Sequence, residues 1–254
     1  MMKYFSINNS LNEKIMGHLP QVKEVVHNCH ISDNPNFIDR FPFEKIEVNP
    51  ILSNAVLYSK SNQTDLIHTS SIGFSYGSML INDKFKTILE QFNCFGIQFY
   101  STYIIHKEKK IDNYWQTHIY DIPYDFIDFT NTALLLKYRD ENGKPIQNYL
   151  ERVSNKEEFL NMVEIMKYPK MLFLKNISFV KEMDIDYFFL RNYESASLGI
   201  VSEKLKNEIE EQKITGIEFR PIDVSLNDWL GSNGLREKIY GRIPQMRPDG
   251  SIRK

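Results

Sequence analysis

Residues 73–77 read Gly-Phe-Ser-Tyr-Gly, the G-x-S-x-G spacing in which a sharp strand-to-helix turn can lift a serine hydroxyl toward a substrate carbonyl. Ser75 is therefore a candidate nucleophile for a serine hydrolase. That chemistry needs a histidine base oriented by an acid, in the chain order serine, acid, histidine. The only histidines after Ser75 are His106 and His118, both close behind it, with more than half of the chain still to follow. An elbow serine also sits directly at its helix start, whereas the nearest helix cap downstream is Asn82. A glycine-bearing loop entering a strand accounts for the same five residues more economically.

Two further groupings could do chemistry. His27, Cys29 and His30 form an H-x-C-H cluster, but adjacent His and Cys do not match the usual paired zinc-ligand spacings, and no second cluster supplies the missing ligands. The tract Asp-Ile-Pro-Tyr-Asp-Phe-Ile-Asp at 121–128 places Asp121, Asp125 and Asp128 beside Tyr120 and Tyr124, as an acid-base pair or a cation cradle would. Its alternation of apolar and acidic residues equally describes a strand with one wet face. No P-loop, dinucleotide fingerprint or H-E-x-x-H motif occurs. The sequence thus nominates no catalytic, cofactor-binding or metal residue, and the chain reads as a protein that is not an enzyme and needs no cofactor. Candidate partner-binding residues are the large aromatics Tyr114, Trp115 and Trp229, with Asp125 and Asp128, because buried aromatics and complementary charge carry protein recognition.

The elements that position these residues follow from composition and pattern. The 254 residues, 42% of them hydrophobic, suffice for one large or two small packed domains. Lysine plus arginine total 31 against 33 acids, for a net charge of -2, which disfavours a dedicated nucleic-acid binder. That balance is uneven, since residues 236–254 carry +4 and the remainder -6. Two cysteines 65 positions apart make no disulfide framework, and no secretory signal or membrane-spanning apolar run is read, so a cytoplasmic protein without membrane contact is expected.

An internal repeat organises the chain. Residues 80–99, LINDKFKTILEQFNCFGIQF, align without a gap with residues 200–219, IVSEKLKNEIEEQKITGIEF, at an offset of 120. Each copy predicts an apolar strand end, an N-cap (Asn82, Ser202), a short amphipathic helix, a glycine turn (Gly96, Gly216) and a second strand. Further strands are predicted at 3–7, 43–48, 55–58, 113–119, 125–129, 171–179 and 187–190. A hairpin pairs 133–138 with 147–153 around Asn142-Gly143. Ser154 and Glu157 predict a capped helix over 155–166. The expected fold class is α+β: a sheet-rich body with two similar strand-helix-strand units, around 80–104 and 200–224, and one further helix near 155–166. Residues 1–235 form a single domain or two packed halves, 1–120 and 121–235, followed by an extended basic tail over 236–254.

The repeat resembles the immunity proteins of bacterial polymorphic toxin systems, of the immunity protein 43 and immunity protein 11 types. The residues that carry the resemblance are IVSEKLKNEIEEQKITGIEFRPI at 200–222 and LINDKFKTILEQFNCFGIQFY at 80–100, with KYFSI near the N-terminus and IDF at 127–129. The resemblance implies a cytoplasmic partner protein, encoded beside a toxin, that binds the toxin domain and blocks it without catalysis. A generic scaffold or ligand-binding module is the remaining alternative.

Overall fold

In the computed structural model the described residues are 3–69, 77–150, 152–166, 169–180, 183–193 and 196–243. The chain opens with strand β1 (Tyr4–Asn9), the short helix α1 (Glu13–Met16) and strands β2 (Val22–His27), β3 (Ser53–Leu57) and β4 (Leu66–Ile67). The first repeat is β5 (Leu80–Asn82), α2 (Asp83–Glu90) and β6 (Ile97–His106), and it runs by a tight turn into β7 (Lys109–Ile119). Next come the hairpin β8 (Ala133–Arg139) and β9 (Pro145–Leu150), helix α3 (Lys156–Ile165), β10 (Met171–Lys175) and β11 (Tyr187–Tyr193). The second repeat is β12 (Ala196–Ser202), α4 (Glu203–Glu211) and β13 (Ile217–Pro221), and helices α5 (Leu226–Leu230) and α6 (Leu235–Tyr240) follow. Two mixed sheets result, in the orders β2-β3-β6-β7-β5-β4 and β13-β1-β12-β11-β10-β8-β9. The class is α+β, with both expected strand-helix-strand units in place.

The two units share more than their sequence repeat. In each, the strands flanking the helix run parallel and are separated by one antiparallel strand. That strand is β7 in the first unit and β1 in the second. The registers coincide: Trp115 stands between Ile81 and Ser101, and Phe5 stands between Val201 and Pro221, the same positions shifted by 120. Thus β1 belongs with the second unit, although 186 residues of chain separate it from β12. Phe85, Ile88 and Leu89 of α2 and Leu205 and Ile209 of α4 point into one apolar cluster that also holds Ile7, Leu66, Tyr187 and Phe219, so the two helices share a core. Spacing of three and four residues buries one stripe of each helix, as expected for an amphipathic segment.

A carboxylate locks each unit to the other. Asp65, just before β4, accepts from the cap residue Asn82 Nδ2 at 2.7 Å and, through its other oxygen, from Thr215 N and Oγ1 at 2.6 Å each. Asp186, just before β11, accepts from the cap residue Ser202 Oγ at 2.6 Å and from Asn93 N at 3.2 Å. The caps meanwhile accept from their own helices, Phe85 N to Asn82 and Leu205 N to Ser202 at 3.1 Å each. Two tyrosines complete the match: Tyr114 donates to Thr64 O at 3.0 Å and Tyr4 to Ile185 O at 3.2 Å. The exits from the helices need glycine, because Gly96 and Gly216 have φ of 67° and 90°. A Cβ there would lie 2.3 Å from the carbonyl oxygens of Asp121 and Leu66 respectively.

Several expectations are corrected. Residues 125–129 are not a strand; Pro123 leads into a 3-10 turn at Tyr124–Phe126, and the Asp128 side chain captures Thr130 and Asn131, giving the backbone a local alternative to a ladder. No strand forms over 43–48, where Phe43 has φ 56° and the backbone of Ile46 pairs with the side-chain amide of Gln98 instead. The strand from Met171 stops at Lys175 because Asn176 turns to φ 49°. The cap of α3 is Asn155 rather than Ser154: Glu158 N donates to Asn155 Oδ1 at 2.9 Å, and the Glu158 side chain reaches back to the residue before the cap, accepting from Ser154 N at 2.8 Å. Finally, 236–243 is not wholly extended. Arg236 lies in α6, where it is 1% exposed and grips Glu218 of β13 through two 2.7 Å bonds.

Candidate partner-binding surface

The five nominated residues fall on separate elements. Tyr114, on β7, is 2% exposed and serves the core; burial, with Asp65 nearby, pushes its phenol well above the usual range. Trp115 follows it on the opposite face, half-buried, with Nε1 donating to Asp83 Oδ1 at 2.5 Å and the Lys86 ammonium 4.4 Å above the ring. On the loop after β7, Asp125 is exposed and Asp128 half-buried. Asp125 accepts from Lys156 Nζ at 2.8 Å. Asp128 accepts from Thr130 Oγ1 at 2.6 Å and Asn131 Nδ2 at 2.7 Å, which holds its carboxyl below the usual range. Trp229, on α5, is 3% exposed and packs edge-on against Tyr240, ring centres 6.1 Å apart. Tyr114 and Trp229 are thus spent inside the fold, and Trp115, Asp125 and Asp128 keep surface.

The chemical candidates are dispersed too. His27 Nδ1 bonds Ser53 Oγ at 2.8 Å, and His30 pairs with Asp33 at 3.1 Å. Among the described residues no three His, Cys, Asp or Glu side chains converge as a metal site would require. Ser75 lies outside the described residues. His106 bonds Gln63 Nε2 at 3.1 Å, and His118 bonds Glu44 O at 2.8 Å, with burial holding His118 below its usual pKa.

The structure shows a feature that no motif announced. A cleft of about 930 Å³ opens at the strand ends of the second unit. Its walls are Phe5, Phe179, Val180, Met183, Ile222 and Val224, and Tyr4 lies at its base in edge-on contact with Phe179, ring centres 5.0 Å apart. Lys3, Glu203 and Asp223 stand among the charged residues lining it, with Lys3 Nζ 3.8 Å from Glu203. Four separate stretches of chain meet here: the start of β1, the loop after β10, the first residue of α4 and the exit of β13. The one sequence signal was the recurrence of Tyr-Trp at 114–115 as Tyr-Phe at 4–5, visible only once the registers are known.

Comparison with known families bears on this geometry. A family model described as an immunity protein family (Imm11) matches residues 3–224. The chain belongs to that immunity protein family. The match runs through both units of the immunity protein, both carboxylate locks and every residue named above as lining the cleft, and it stops before α5 and α6. No curated protein matches the immunity protein with significance. Among the described residues no helix is long and apolar enough to cross a membrane.

Proposed function

We propose that this immunity protein neutralises a cognate toxin domain by stoichiometric binding, without catalysing a reaction, inside the cytoplasm of the bacterium that makes the toxin. The observation that carries the reading is the family match over 222 residues, which takes in both units. The use of the buried charges supports it. Asp186 and Glu218, each 3% exposed or less, are tied to a helix cap and to Arg236, as scaffold parts are. A body carrying -6 outside residues 236–254 suits a basic partner, whose approach it would steer.

Co-expression with the product of the neighbouring gene tests the reading. A complex of one chain with one toxin on size exclusion, with restored growth of poisoned cells, is the expected result. A toxin that stays active and unbound beside a folded immunity protein sinks it. Charge steering adds a second expectation. The association rate should fall roughly tenfold or more between about 20 mM and 500 mM salt while the dissociation rate changes little, because screening acts on the encounter. Stopped-flow mixing measures both.

A further inference from the structure

The second unit stops where the first continues. Beyond the Trp115–Ser101 rung, β6 and β7 pair on through Thr102–Tyr114 to His106–Lys109, burying Ile104 in a cluster with Tyr114 and Leu57, while β3 lies alongside at Ile104 and Ile105. Beyond the matching Phe5–Pro221 rung, Ile222 N still reaches Tyr4 O at 3.3 Å, but Val224 N turns back to Pro221 O and Ser225 caps α5. The cleft is lined by these last residues on both strands. The first unit therefore supplies an extended apolar segment at this point from its own chain, whereas the described residues of the second supply none and leave about 930 Å³ with aromatic and aliphatic walls.

Charge narrows what fits. Lys3 is paired with Glu203, and Asp223, exposed at the rim, has no ion-pair partner among the described residues. The volume exceeds what one side chain fills and matches sites of roughly 300–1,000 Å³ that enclose a whole ligand. We infer that this cleft is the toxin-binding site and takes an extended segment of the toxin, with two or three apolar side chains in the cleft and a lysine or arginine against Asp223. The inference rests on the neutralisation reading above and names the surface that would perform it. Anchoring side chains that fill preformed pockets dominate interface energetics, so a small number of contacts here can carry the affinity.

Two full-length variants test it against the neighbouring-gene toxin by titration calorimetry. Val224→Trp fills the cleft with the chain's own ring, and Asp223→Lys reverses the rim charge at an exposed position; Glu141→Lys, at the β8–β9 turn, is the control. Expected are a Kd raised at least tenfold by Val224→Trp and about fivefold or more by Asp223→Lys, an unchanged Kd for Glu141→Lys, and thermal melting of Asp223→Lys within a few degrees of wild type. A wild-type complex that both variants leave unchanged overturns the cleft and leaves neutralisation standing. A wild-type chain that forms no complex overturns both. Tighter toxin binding after deletion of residues 244–254, or a small molecule retained on the native protein in mass spectrometry, would assign the cleft a different occupant and overturn the inference as well.

Discussion

Tyr4 and Tyr114 hold the same place in their two units, and their hydroxyls end on the carbonyls just before Asp186 and Asp65. Burial first, and then the Asp186 and Asp184 charges, push the Tyr4 phenol from 10.0 up to about 12. The neutral form is thus favoured by folding. The stability this gives is complete below the unfolded value near 10 and is lost as pH rises toward 12, at no more than about 1.4 kcal/mol per pH unit. Cys94, pushed up to about 12 mainly by burial, acts in the same direction from about pH 9. Tyr4→Phe should cost about 1 kcal/mol at pH 7 by losing the bond to Ile185 O, yet flatten the decline between pH 10 and 11.5 by close to one proton. Urea melts across that range measure both effects, and an unchanged slope would refute the assignment. At this scale the sequence was legible for caps and turn glycines, whose role depends on neighbours three residues away. It was not legible for Asp65 and Asp186, whose partners stand 16 to 150 positions distant and whose residue type is equally at home on a surface.

At the scale of elements, α2 and α4 were readable because helix punctuation is local, and the repeat supplied the reading twice. Their capping residues do two jobs, which single-sequence reasoning does not reveal. Ser202 caps α4 and also donates to the buried carboxylate of Asp186, whereas Ser225 caps α5 at an exposed position with Asp228. Ser202→Ala should therefore cost about 2–4 kcal/mol, an N-cap together with an unsatisfied buried oxygen, against about 1 kcal/mol for Ser225→Ala. Equal losses in chemical denaturation would argue against the lock. The short strands β2 and β4 and helix α1 escaped the sequence reading for a different reason. With six residues or fewer each, they owe their existence to partners elsewhere: β4 has only two residues and is held by β5 on one side and by Thr215 of the other unit. Conversely, 125–129 had the strand pattern and lost the strand to Pro123 and an Asp128-centred turn.

For the whole molecule, the last helices are fastened by one buried ion pair. Arg236 and Glu218 are each about 2% exposed in their side chains, and Glu218 also accepts from Ser10 Oγ at 3.1 Å and Leu11 N at 2.9 Å. Removing one partner leaves the other charge buried, so Arg236→Met should cost about 3–5 kcal/mol, and adding Glu218→Gln should recover part of that loss. Trp229 fluorescence under urea reports it; additive losses in the double variant would show that the pair is not coupled. Counting Arg236 into a free basic tail was the natural sequence reading, since nothing local marks an arginine as buried. The cleft was likewise invisible, being assembled from four stretches whose only common property is where the fold brings them.

The placement of β1 has a consequence in time. A ribosome adding about 5–20 residues per second releases β1 first and reaches β12 and β13 some 10–40 s later. The first unit is contiguous from β3 to β7 and can close early, but the second waits for its final strand with its central one already made. Two of the four stretches that line the cleft, the start of β1 and the exit of β13, come from the two ends of that interval. A nascent chain therefore has no complete cleft until Val224 has been added, and any protection that the cleft gives should lag behind the synthesis of β1 by that delay.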